Sequence, residues 1–300
     1  MTSIPRVSVV IPTYNHARFL GEALRSVIAQ TTPDWEAIVV NNFSEDDTEA
    51  VVAGLNDPRI QLINFRNRGV IAASRNQGIG RARGEWVAFL DSDDAWMPRK
   101  LELSLAAANG ADVVGTALLV EQAGAVVREQ KSGPAARARY RALLYNGSCL
   151  TPSATMVRRA MLEAVGRFNE DPAFATGEDH DLWLKLAGHG ARFCFIDDAL
   201  SRYRLHEDNQ SALAARHLGA ALAILDHHYA RLADRTWVDA VMFRRCRARY
   251  LYSAGRTLQR LGRPAEALAY FGRAFAAFPL MGRLHVAALA SVVAAAFNKR

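Results

Sequence analysis

The stretch FLDSDDAW, residues 89–96, closes an apolar run with the length of a buried strand and then places three carboxylates within four positions. The carboxylates belong to Asp91, Asp93 and Asp94. Like charges this close repel one another, and the repulsion grows where the surrounding walls are apolar. The stretch therefore predicts either a cation that compensates the charges or a segment that lies in water.

The residues before this stretch alternate short β-rich runs with helical patterns. Strands are predicted at Val7–Ile11, Trp35–Val40 and Ile60–Asn64, and in the run that ends at Leu90. Helices are predicted up to Gln30, from near Glu45 behind the S-x-x-D capping signature of Ser44 and Asp47, over Ile71–Ala82, and from Pro98. This alternation implies a parallel sheet with helices on both faces, in which ligands bind beyond the carboxyl ends of the strands. The three carboxylates lie at such an end.

Residues 111–205 mix further strands and helices and complete the same α/β domain, which we place at residues 1–211. A hairpin is predicted from Val113–Val120 and Val126–Val127 around Gly124, strands at Ala154–Val157 and Phe193–Ile196, and helices near 159–165 and 179–188. Residues 212–300 lose the β signal and predict an all-α C-terminal region.

Residues 250–279 of this helical region resemble one tetratricopeptide unit, through the order LGR-x-x-EAL-x-x-Y-x-x-A and the closing Pro279. A lone unit of this kind cannot bury its faces by itself, so neighbouring helices should cover it. Two interpretations remain open: a helical hairpin that braces the domain, or a surface that binds a partner.

The composition is that of a globular chain, with 300 residues of which 50% are hydrophobic and 22% charged. That length is sufficient for a sizeable core. The three cysteines are scattered and lack metal-ligand spacing, which is typical of a reducing compartment. The N-terminus lacks the pattern of a secretory leader, and no stretch approaches 18 uninterrupted apolar residues. We therefore expect a cytoplasmic protein.

Positive charge is concentrated in residues 201–300, which hold 16 Lys and Arg against 6 Asp and Glu. Such a region favours an anionic neighbour. The sequence has no nucleic-acid motif and no basic groove interleaved with aromatic residues, so nucleic acid is not an expected partner. Peripheral contact with the inner face of the cell membrane is the remaining expectation. The apolar segment Leu284–Phe297 could lie in that interface or pack as a terminal helix.

Asp91 and Asp93, with one residue between them, can direct their side chains toward a common point where a strand ends. Mg²⁺ and Mn²⁺ prefer oxygen ligands, and typically take one or two protein carboxylates together with phosphate oxygens and water. The pair therefore predicts a metal–diphosphate site. The alternative is a solvated turn in which Asp94 caps the helix that starts at Pro98.

Four stretches in the same order resemble the family 2 glycosyltransferases. They are VSVVIPTYNHARFLGEALRSVIAQT (7–31), GEWVAFLDSDDAW (84–96), GEDHDLWLKLA (177–187) and YRLHEDNQSA (203–212). The resemblance spans roughly residues 5 to 212. It implies the GT-A fold, which is Rossmann-like with a mainly parallel central sheet, and transfer of a sugar from a nucleotide donor.

The resemblance implies that Pro12, Thr13 and Tyr14, at the end of the first strand, frame the nucleotide base. The family often carries two aspartates after its second strand, and the second contacts the base. This chain has Asn41 and Asn42 at those positions, and Asn42 is the expected base contact. A neutral amide can both accept and donate a hydrogen bond, but charge is lost. A changed base preference or weaker donor binding is therefore expected.

Further donor contacts are expected from four residues by the same resemblance. Arg75 and Asn76 precede the D-x-D strand, in a neighbourhood that approaches the sugar or diphosphate in the family; a structural role is the alternative for each. Asp91 and Ser92 belong to the D-x-D motif itself.

The metal ligands implied by the resemblance are Asp91, Asp93 and His206, and the implied cofactor is Mg²⁺ or Mn²⁺. Asp93 is the favoured direct contact. His206 follows the YRL run, where many GT-A enzymes have a histidine near the metal or diphosphate. A structural histidine is the alternative.

Asp179 matches the general base of the family's E-D motif. It would take the proton of an acceptor hydroxyl as that oxygen attacks the anomeric carbon from the face opposite the diphosphate, which inverts the configuration. The alternative explanation is that carboxylates favour helix N-termini. That alternative does not explain why Glu178, Asp179 and Asp181 lie together.

The expected function is therefore metal-dependent, inverting transfer of a single sugar from a UDP-, GDP- or dTDP-linked donor to a saccharide or lipid-linked saccharide. Cell-surface polysaccharide or glycolipid assembly is the expected setting. Processive synthases of the family usually carry a Q-x-x-R-W motif and transmembrane helices, and neither is found in this sequence.

The sequence leaves two alternative functions. A non-catalytic scaffold with a decayed transferase domain and a protein-binding helical tail is favoured by Asn41 and Asn42, but retention of Asp91, Asp93 and Asp179 argues against it. A sugar nucleotidyltransferase would need a glycine-rich loop after the first strand, where the sequence is IPTYNHARF.

Overall fold

The computed structural model describes residues 4–205 and 214–297. The chain divides into two compact units. The first comprises Met1–Leu143, Gly147–Pro172 and Glu178–Asn209, and the second comprises Leu144–Asn146, Ala173–Gly177 and Gln210–Arg300. The second unit thus takes in two short segments, 144–146 and 173–177, that lie before the boundary at 211 expected from the sequence.

Four parallel strands form one half of the sheet of the first unit, in the order β3-β2-β1-β4. Their bounds are Val7–Thr13 (β1), Trp35–Asn41 (β2), Ile60–Asn64 (β3) and Trp86–Phe89 (β4). The helices between them are Ala17–Ile28 (α1), Thr48–Leu55 (α2) and Ile71–Arg81 (α3). Every residue of β1, β2 and β4 is buried, which explains why these strands read as continuous apolar runs.

The carboxyl ends of the parallel strands meet at one edge. Thr13 pairs with Asn41, and Asn41 pairs with Asn64 on the next strand. Helix α3 packs so closely on β1 that a Cβ added to Gly78 would lie 2.4 Å from Val10 Cγ1. The segments that leave β1, β2 and β4 therefore share the edge at which parallel sheets bind ligands.

The other half of the sheet is mixed. Its strands are Ala95–Trp96 (β5), Val113–Gln122 (β6), Ala125–Gln130 (β7), Thr155–Arg158 (β8) and Phe193–Leu205 (β9). Strand β8 is antiparallel to β4 and β6, β9 is parallel to β6, and β5 is antiparallel to β9. Over the described residues the sheet thus has nine strands, and the predicted α/β class is confirmed. In the part of the chain that the structure describes, the parallel pairs are β1–β2, β1–β4, β2–β3 and β6–β9.

The helices of this half are Lys100–Ala106 (α4), Tyr140–Asn146 (α5), Arg159–Ala164 (α6) and Glu178–Gly188 (α7). The expected hairpin forms between β6 and β7, and Ala123 and Gly124 at its turn both have positive φ. Helix α4 begins two residues later than predicted, because Pro98 lies in the turn before it.

The predicted capping box before α2 is wrong. The helix begins at Thr48 instead of near Glu45. The side chain of its N-cap residue, Asp47, makes no capping hydrogen bond to the described helix. The Ser44 hydroxyl instead donates to Asn41 Oδ1 at 2.6 Å and accepts the Asn15 N–H at 2.9 Å. Ser44 therefore holds the loop at the carboxyl edge of the sheet, a tertiary contact that the local pattern could not indicate.

The second unit is helical after residue 213, as predicted. Its helices are Ala214–Ala230 (α8), Trp237–Arg260 (α9), Pro264–Ala277 (α10) and Gly282–Phe297 (α11). Eight buried apolar side chains form its core: Leu218, Ala248, Leu251, Ala267, Phe271, Ala274, Leu284 and Ala287. Helices α9 and α10 form the expected helical hairpin, and the assignment of that hairpin as a tetratricopeptide unit stays a prediction.

Helix α11 contains the apolar terminal segment. Leu284 and Ala287 pack into the core of the second unit, while Val286 and Leu289 are exposed. Among the helices of residues 4–205 and 214–297, none combines the length and the apolar character needed to cross a bilayer.

Candidate active site

The loop after β4 carries the three clustered aspartates at the carboxyl edge. Its backbone is held at both ends: the Leu90 N–H donates to the Val10 carbonyl, and the Asp91 N–H donates to the Ser153 hydroxyl at 3.0 Å. The Asp94 N–H donates to the Asp91 carbonyl and closes a turn. These contacts fix the carboxylates relative to the sheet.

Asp94 is buried within this turn and does not cap helix α4. Its Oδ1 accepts the Arg204 N–H at 3.1 Å. Burial, together with the charges of Asp93 and Asp91, raises the pKa of Asp94 well above its ordinary value. The alternative of a water-exposed acidic turn is therefore excluded for this residue, which is 1% exposed.

Ser92 is also buried and lies beside a histidine. Its Oγ is 2.9 Å from Nδ1 of His16, which follows the loop after β1. This contact ties the D-x-D loop to the segment that contains the proposed base-framing residues.

Arg75 joins the D-x-D loop to the start of α7. Its Nη2 lies 2.7 Å from Asp91 Oδ1, and its Nη1 lies 2.6 Å from Glu178 Oε1. The Arg75 side chain is 3% exposed, and its guanidinium lies 5.4 Å from the centre of the Phe168 ring. The surrounding carboxylates raise the pKa of Arg75 despite its burial, so the residue stays charged. Arg75 therefore links the D-x-D loop to α7, and its predicted donor contact stays a prediction.

Asn76 has both ends of its amide engaged by one neighbouring segment. Its Nδ2 donates to the Phe168 carbonyl and to Glu170, and its Oδ1 accepts the Phe168 N–H at 2.9 Å. Asn76 therefore anchors residues 168–170, and its predicted donor contact stays untested.

Asp179 is half-buried in the first turn of α7, next to the ion pair of Glu178 with Arg75. Burial and the Glu178 charge raise its pKa to about 7, while the positive charge of Arg75 acts in the opposite direction. A carboxylate with a pKa near neutrality can accept a proton and later release it. This is the electrostatic setting that a general base requires.

The nearby acid Asp181 has a different environment. It is fully buried, and Lys185 Nζ lies 3.5 Å from its Oδ2 on the next turn of α7. This i,i+4 ion pair gives Asp181 a structural role within α7, which explains one of the three acids that lie together at the start of the helix.

Pro12 and Thr13 are buried at the end of β1, and the following Tyr14 is half exposed. Thr13 also accepts the Asn42 N–H through its carbonyl. Among the described residues, the Thr13 hydroxyl has no hydrogen-bond partner although it is buried. The end of β1 therefore presents a polar group and an aromatic ring at the edge where the aspartates lie.

The two asparagines that replace the expected aspartates make different contacts. Asn41 is fully buried; its Nδ2 donates to Asn64 Oδ1 at 2.9 Å, and its Oδ1 accepts from Ser44. Asn42 is half-buried, and its Oδ1 accepts the Asn67 N–H at 2.9 Å. The donor function at position 41 is one that a carboxylate cannot supply.

Sequence reasoning missed two residues that hold the D-x-D loop. Ser153 accepts from the Asp91 backbone, and Arg204 donates from Nη1 to the Asp93 carbonyl at 3.1 Å. Arg204 also forms an ion pair with Glu22 at 2.6 Å. The YRL run contained Arg204, but its contacts span more than 100 positions and leave no local signal. His206, the third predicted metal ligand, lies outside the described residues.

The donor set of the loop fits a hard divalent cation. Three carboxylates lie in one turn, and burial together with the charges of Asp93 and Asp91 raises the pKa of Asp94. Oxygen donors of this kind suit Mg²⁺ or Mn²⁺. Asp91 is 25% exposed at its side chain and Asp93 is half-buried, so both remain accessible from solvent.

Comparison with known proteins places these residues in a family context. The model of glycosyl transferase family 2 matches residues 8–166. The succinoglycan biosynthesis protein ExoO of Rhizobium meliloti is 39% identical over 130 residues, which cover 43% of this chain and 36% of that protein. The putative teichuronic acid biosynthesis glycosyltransferase TuaG of Bacillus subtilis is 30% identical over 216 residues, which cover 69% of this chain and 82% of that protein. The chain thus spans about a third of the first relative and most of the second.

Among solved structures, residues 1–349 of TarS from S. aureus in complex with UDP-GlcNAc have a similar fold. The TM-score is 0.68 at 20% identity, and the match covers 95% of this chain and 89% of that one. The GT-A-like architecture expected from the sequence is thereby confirmed.

Proposed function

Because the chain belongs to glycosyl transferase family 2, we propose that it is an inverting, metal-dependent glycosyltransferase that moves one sugar from a nucleotide donor to an acceptor hydroxyl. The observation that carries this proposal is the Arg75 bridge between Asp91 and Glu178. It connects the loop with a metal-type donor set to the helix turn whose Asp179 has a pKa of about 7.

Asp179 would act as the general base. Its carboxylate accepts the proton of the acceptor hydroxyl while that oxygen forms a bond to the anomeric carbon. The bond from that carbon to the diphosphate breaks on the opposite face, so the configuration inverts, and no carboxylate nucleophile is required. General-base assistance contributes about 10²–10⁴-fold.

Arg75 and the D-x-D loop prepare the donor side. Asp91 and Asp93 would hold Mg²⁺ or Mn²⁺, which when bound supplies Lewis-acid stabilisation of the negative charge on the leaving nucleoside diphosphate. Arg75 holds Asp91 by an ion pair that leaves the second carboxylate oxygen available. Ser153 and Arg204 fix the loop backbone, so the carboxylates need no large rearrangement when a donor binds.

Pro12, Thr13, Tyr14 and Asn42 are the proposed base-binding residues, and the donor is a UDP-, GDP- or dTDP-sugar. The relatives in succinoglycan and teichuronic acid biosynthesis support an acceptor in cell-surface polysaccharide assembly, either a saccharide or a lipid-linked saccharide. The basic C-terminal region supports peripheral contact with the inner face of the cell membrane.

The alternative of a decayed scaffold loses its main support. Asn41 donates to Asn64 from a fully buried position, so this departure from the usual aspartate has a structural reason within the fold.

Calorimetric titration with UDP, GDP and dTDP, each with Mn²⁺ and with EDTA, tests the proposal. We expect one nucleotide to bind tightly in Mn²⁺ and much more weakly in EDTA. The corresponding sugar nucleotide should then release nucleoside diphosphate when acceptor is added. Metal-independent binding, or no binding of any of the three, would overturn the proposal and favour the scaffold.

A further inference from the structure

The first two turns of α9 expose three apolar side chains next to one another. Trp237 is 78% exposed, Val238 46% and Val241 41%. We call these residues, with the arginines described below, the Trp237 patch. Exposure of a tryptophan side chain to water is unfavourable in free energy, because its large apolar surface is hydrated. Clusters of exposed apolar side chains are typical of contact surfaces.

The patch lies on a stripe of α9 that the rest of the second unit covers only in part. Positions 237, 241, 244, 248, 251 and 255 recur at spacings of four and three and therefore share one face of the helix. Ala248 and Leu251 are buried in the core of the unit, and a Cβ added to Gly255 would lie 2.5 Å from the Phe271 ring. Helix α10 thus covers this face along the second half of α9.

Helix α10 does not reach the first half of the stripe, because the two helices differ in length. Helix α9 has 24 residues and α10 has 14. At a rise of about 1.5 Å per residue, α9 extends roughly 15 Å further than α10. The uncovered part carries Trp237, Val241 and Arg244.

This end of α9 is rigidly held, so the exposure is a built feature. Thr236 and Asp239 form a reciprocal capping box. The Asp239 carboxylate, 3% exposed, also accepts the Tyr145 hydroxyl at 3.0 Å.

The charges around the apolar side chains are mainly positive. The exposed arginines of segment 231–245 are Arg231, Arg235, Arg244 and Arg245. Asp234 is the exposed acid of that segment, and Asp239 is buried in the capping box. Arg235 also lies over the Tyr229 ring, which stacks on Phe243 at 4.1 Å. Apolar and aromatic groups between cationic side chains complement the interface of an anionic bilayer.

We propose that the Trp237 patch is the surface through which this chain contacts an anionic lipid bilayer, an inference that rests on the proposed peripheral membrane contact. It assigns that contact to α9 instead of the terminal helix α11. Leu284 and Ala287 of α11 already pack in the core of the second unit. Val286 and Leu289 of α11 are exposed, but Arg283 is the only Lys or Arg in the sequence of that helix.

Tryptophan fluorescence offers a direct readout, because the other four tryptophans of the chain are buried: Trp35, Trp86, Trp96 and Trp183. The full chain is titrated with vesicles of equal parts phosphatidylglycerol and phosphatidylcholine, and with vesicles of phosphatidylcholine alone. We expect a blue shift and co-sedimentation with the anionic vesicles. Quenching by brominated lipid should follow in the wild type and be lost in the Trp237→Phe variant, which retains an aromatic anchor.

Substitutions locate the contact. Trp237→Ala should lower the vesicle partition coefficient about tenfold. The double variant Arg244→Gln/Arg245→Gln should lower it about fivefold for each charge at low salt. Leu289→Ala, an exposed apolar residue on α11, is the matched control and should bind as the wild type does.

Three outcomes would overturn the inference: wild-type binding by Trp237→Ala, loss of binding in Leu289→Ala alone, or lipid-independent self-association that Trp237→Ala abolishes. The last would identify the patch as a protein interface. Turnover of the sugar nucleotide with a water-soluble acceptor is measured in parallel. Retained turnover without vesicle binding refutes the patch alone, whereas vesicle binding without turnover refutes the transferase.

Discussion

Arg75 and Glu178 are 103 positions apart in the chain, yet Arg75 Nη1 and Glu178 Oε1 lie 2.6 Å apart in a buried ion pair. The other nitrogen of the same guanidinium pairs with Asp91. One side chain therefore fixes the distance between the D-x-D loop and the turn that carries Asp179. A planar guanidinium can hold two carboxylates in this way, which a lysine ammonium on its flexible stem cannot reproduce.

Removal of this bridge should be costly. Arg75→Met leaves the buried Glu178 carboxylate and the part-exposed Asp91 carboxylate without their counter-charge. We expect a loss of about 3–5 kcal/mol in the free energy of unfolding, mainly from the buried Glu178. Arg99→Met, which breaks an exposed ion pair with Glu102, is the control and should cost at most about 1 kcal/mol. Urea denaturation measures both. Equal losses of unfolding free energy in the two variants would contradict a stabilising role of the Arg75 bridge.

Asp179→Asn should lower kcat by about 10²–10⁴-fold, because the amide cannot accept the acceptor's proton. Donor affinity should stay close to that of the wild type, since Asp91 and Asp93 are unchanged. Single-turnover kinetics and nucleotide titration separate the two quantities. Asp198→Asn removes an exposed carboxylate on β9 and should leave both unchanged. Full turnover in Asp179→Asn would exclude this residue as the base.

The pH dependence of kcat should reflect the raised pKa of Asp179. The base is active when deprotonated, so the rate should rise with pH through about 7 instead of near 3.8. Glu178→Gln removes a negative charge that raises this pKa, so the rising limb should move to lower pH. A limb that stays in place in Glu178→Gln would show that another group controls it.

The same shift makes a prediction for stability. Between about 3.8 and about 7 the native state retains the Asp179 proton that the unfolded chain has released. The unfolded state then binds fewer protons, so Asp179 should lower stability as pH rises through this window. Comparison of urea denaturation for wild type and Asp179→Asn across the window measures this contribution. The difference in the free energy of unfolding between Asp179→Asn and the wild type should grow with pH and level off above about 7.

The sequence predicted the parts of the molecule that periodicity controls. The continuous apolar runs of β1, β2 and β4 are buried on both faces, and each was placed within two residues. Contacts that span long separations left no such signal. Ser44 reads locally as a helix cap but binds Asn41, and Arg204 reads as part of a strand but supports the Asp93 carbonyl. The D-x-D and E-D stretches could be recognised as candidates, whereas the arginine that unites them could only be seen in three dimensions.

Asn41 and Asn42 offer a matched pair of substitutions. Asn41→Asp replaces the Nδ2 donor to Asn64 with a carboxylate in a fully buried position. The loss of a buried hydrogen bond and the added charge should cost at least about 1–3 kcal/mol in the free energy of unfolding. Asn42→Asp should be nearly neutral in stability. Among the described residues, the side-chain bond of Asn42 is the one its Oδ1 accepts from the Asn67 N–H, and a carboxylate oxygen can accept that bond too.

Thermal and urea denaturation of the two variants test this difference, and nucleotide titration of Asn42→Asp tests the base preference. If Asn42 contacts the base, the added charge should change the relative affinities for UDP, GDP and dTDP while the fold is preserved. Equal destabilisation by the two substitutions would mean that the Asn41–Asn64 bond does not decide the choice of asparagine. In that case the departure from aspartate at position 41 would need an explanation in donor binding.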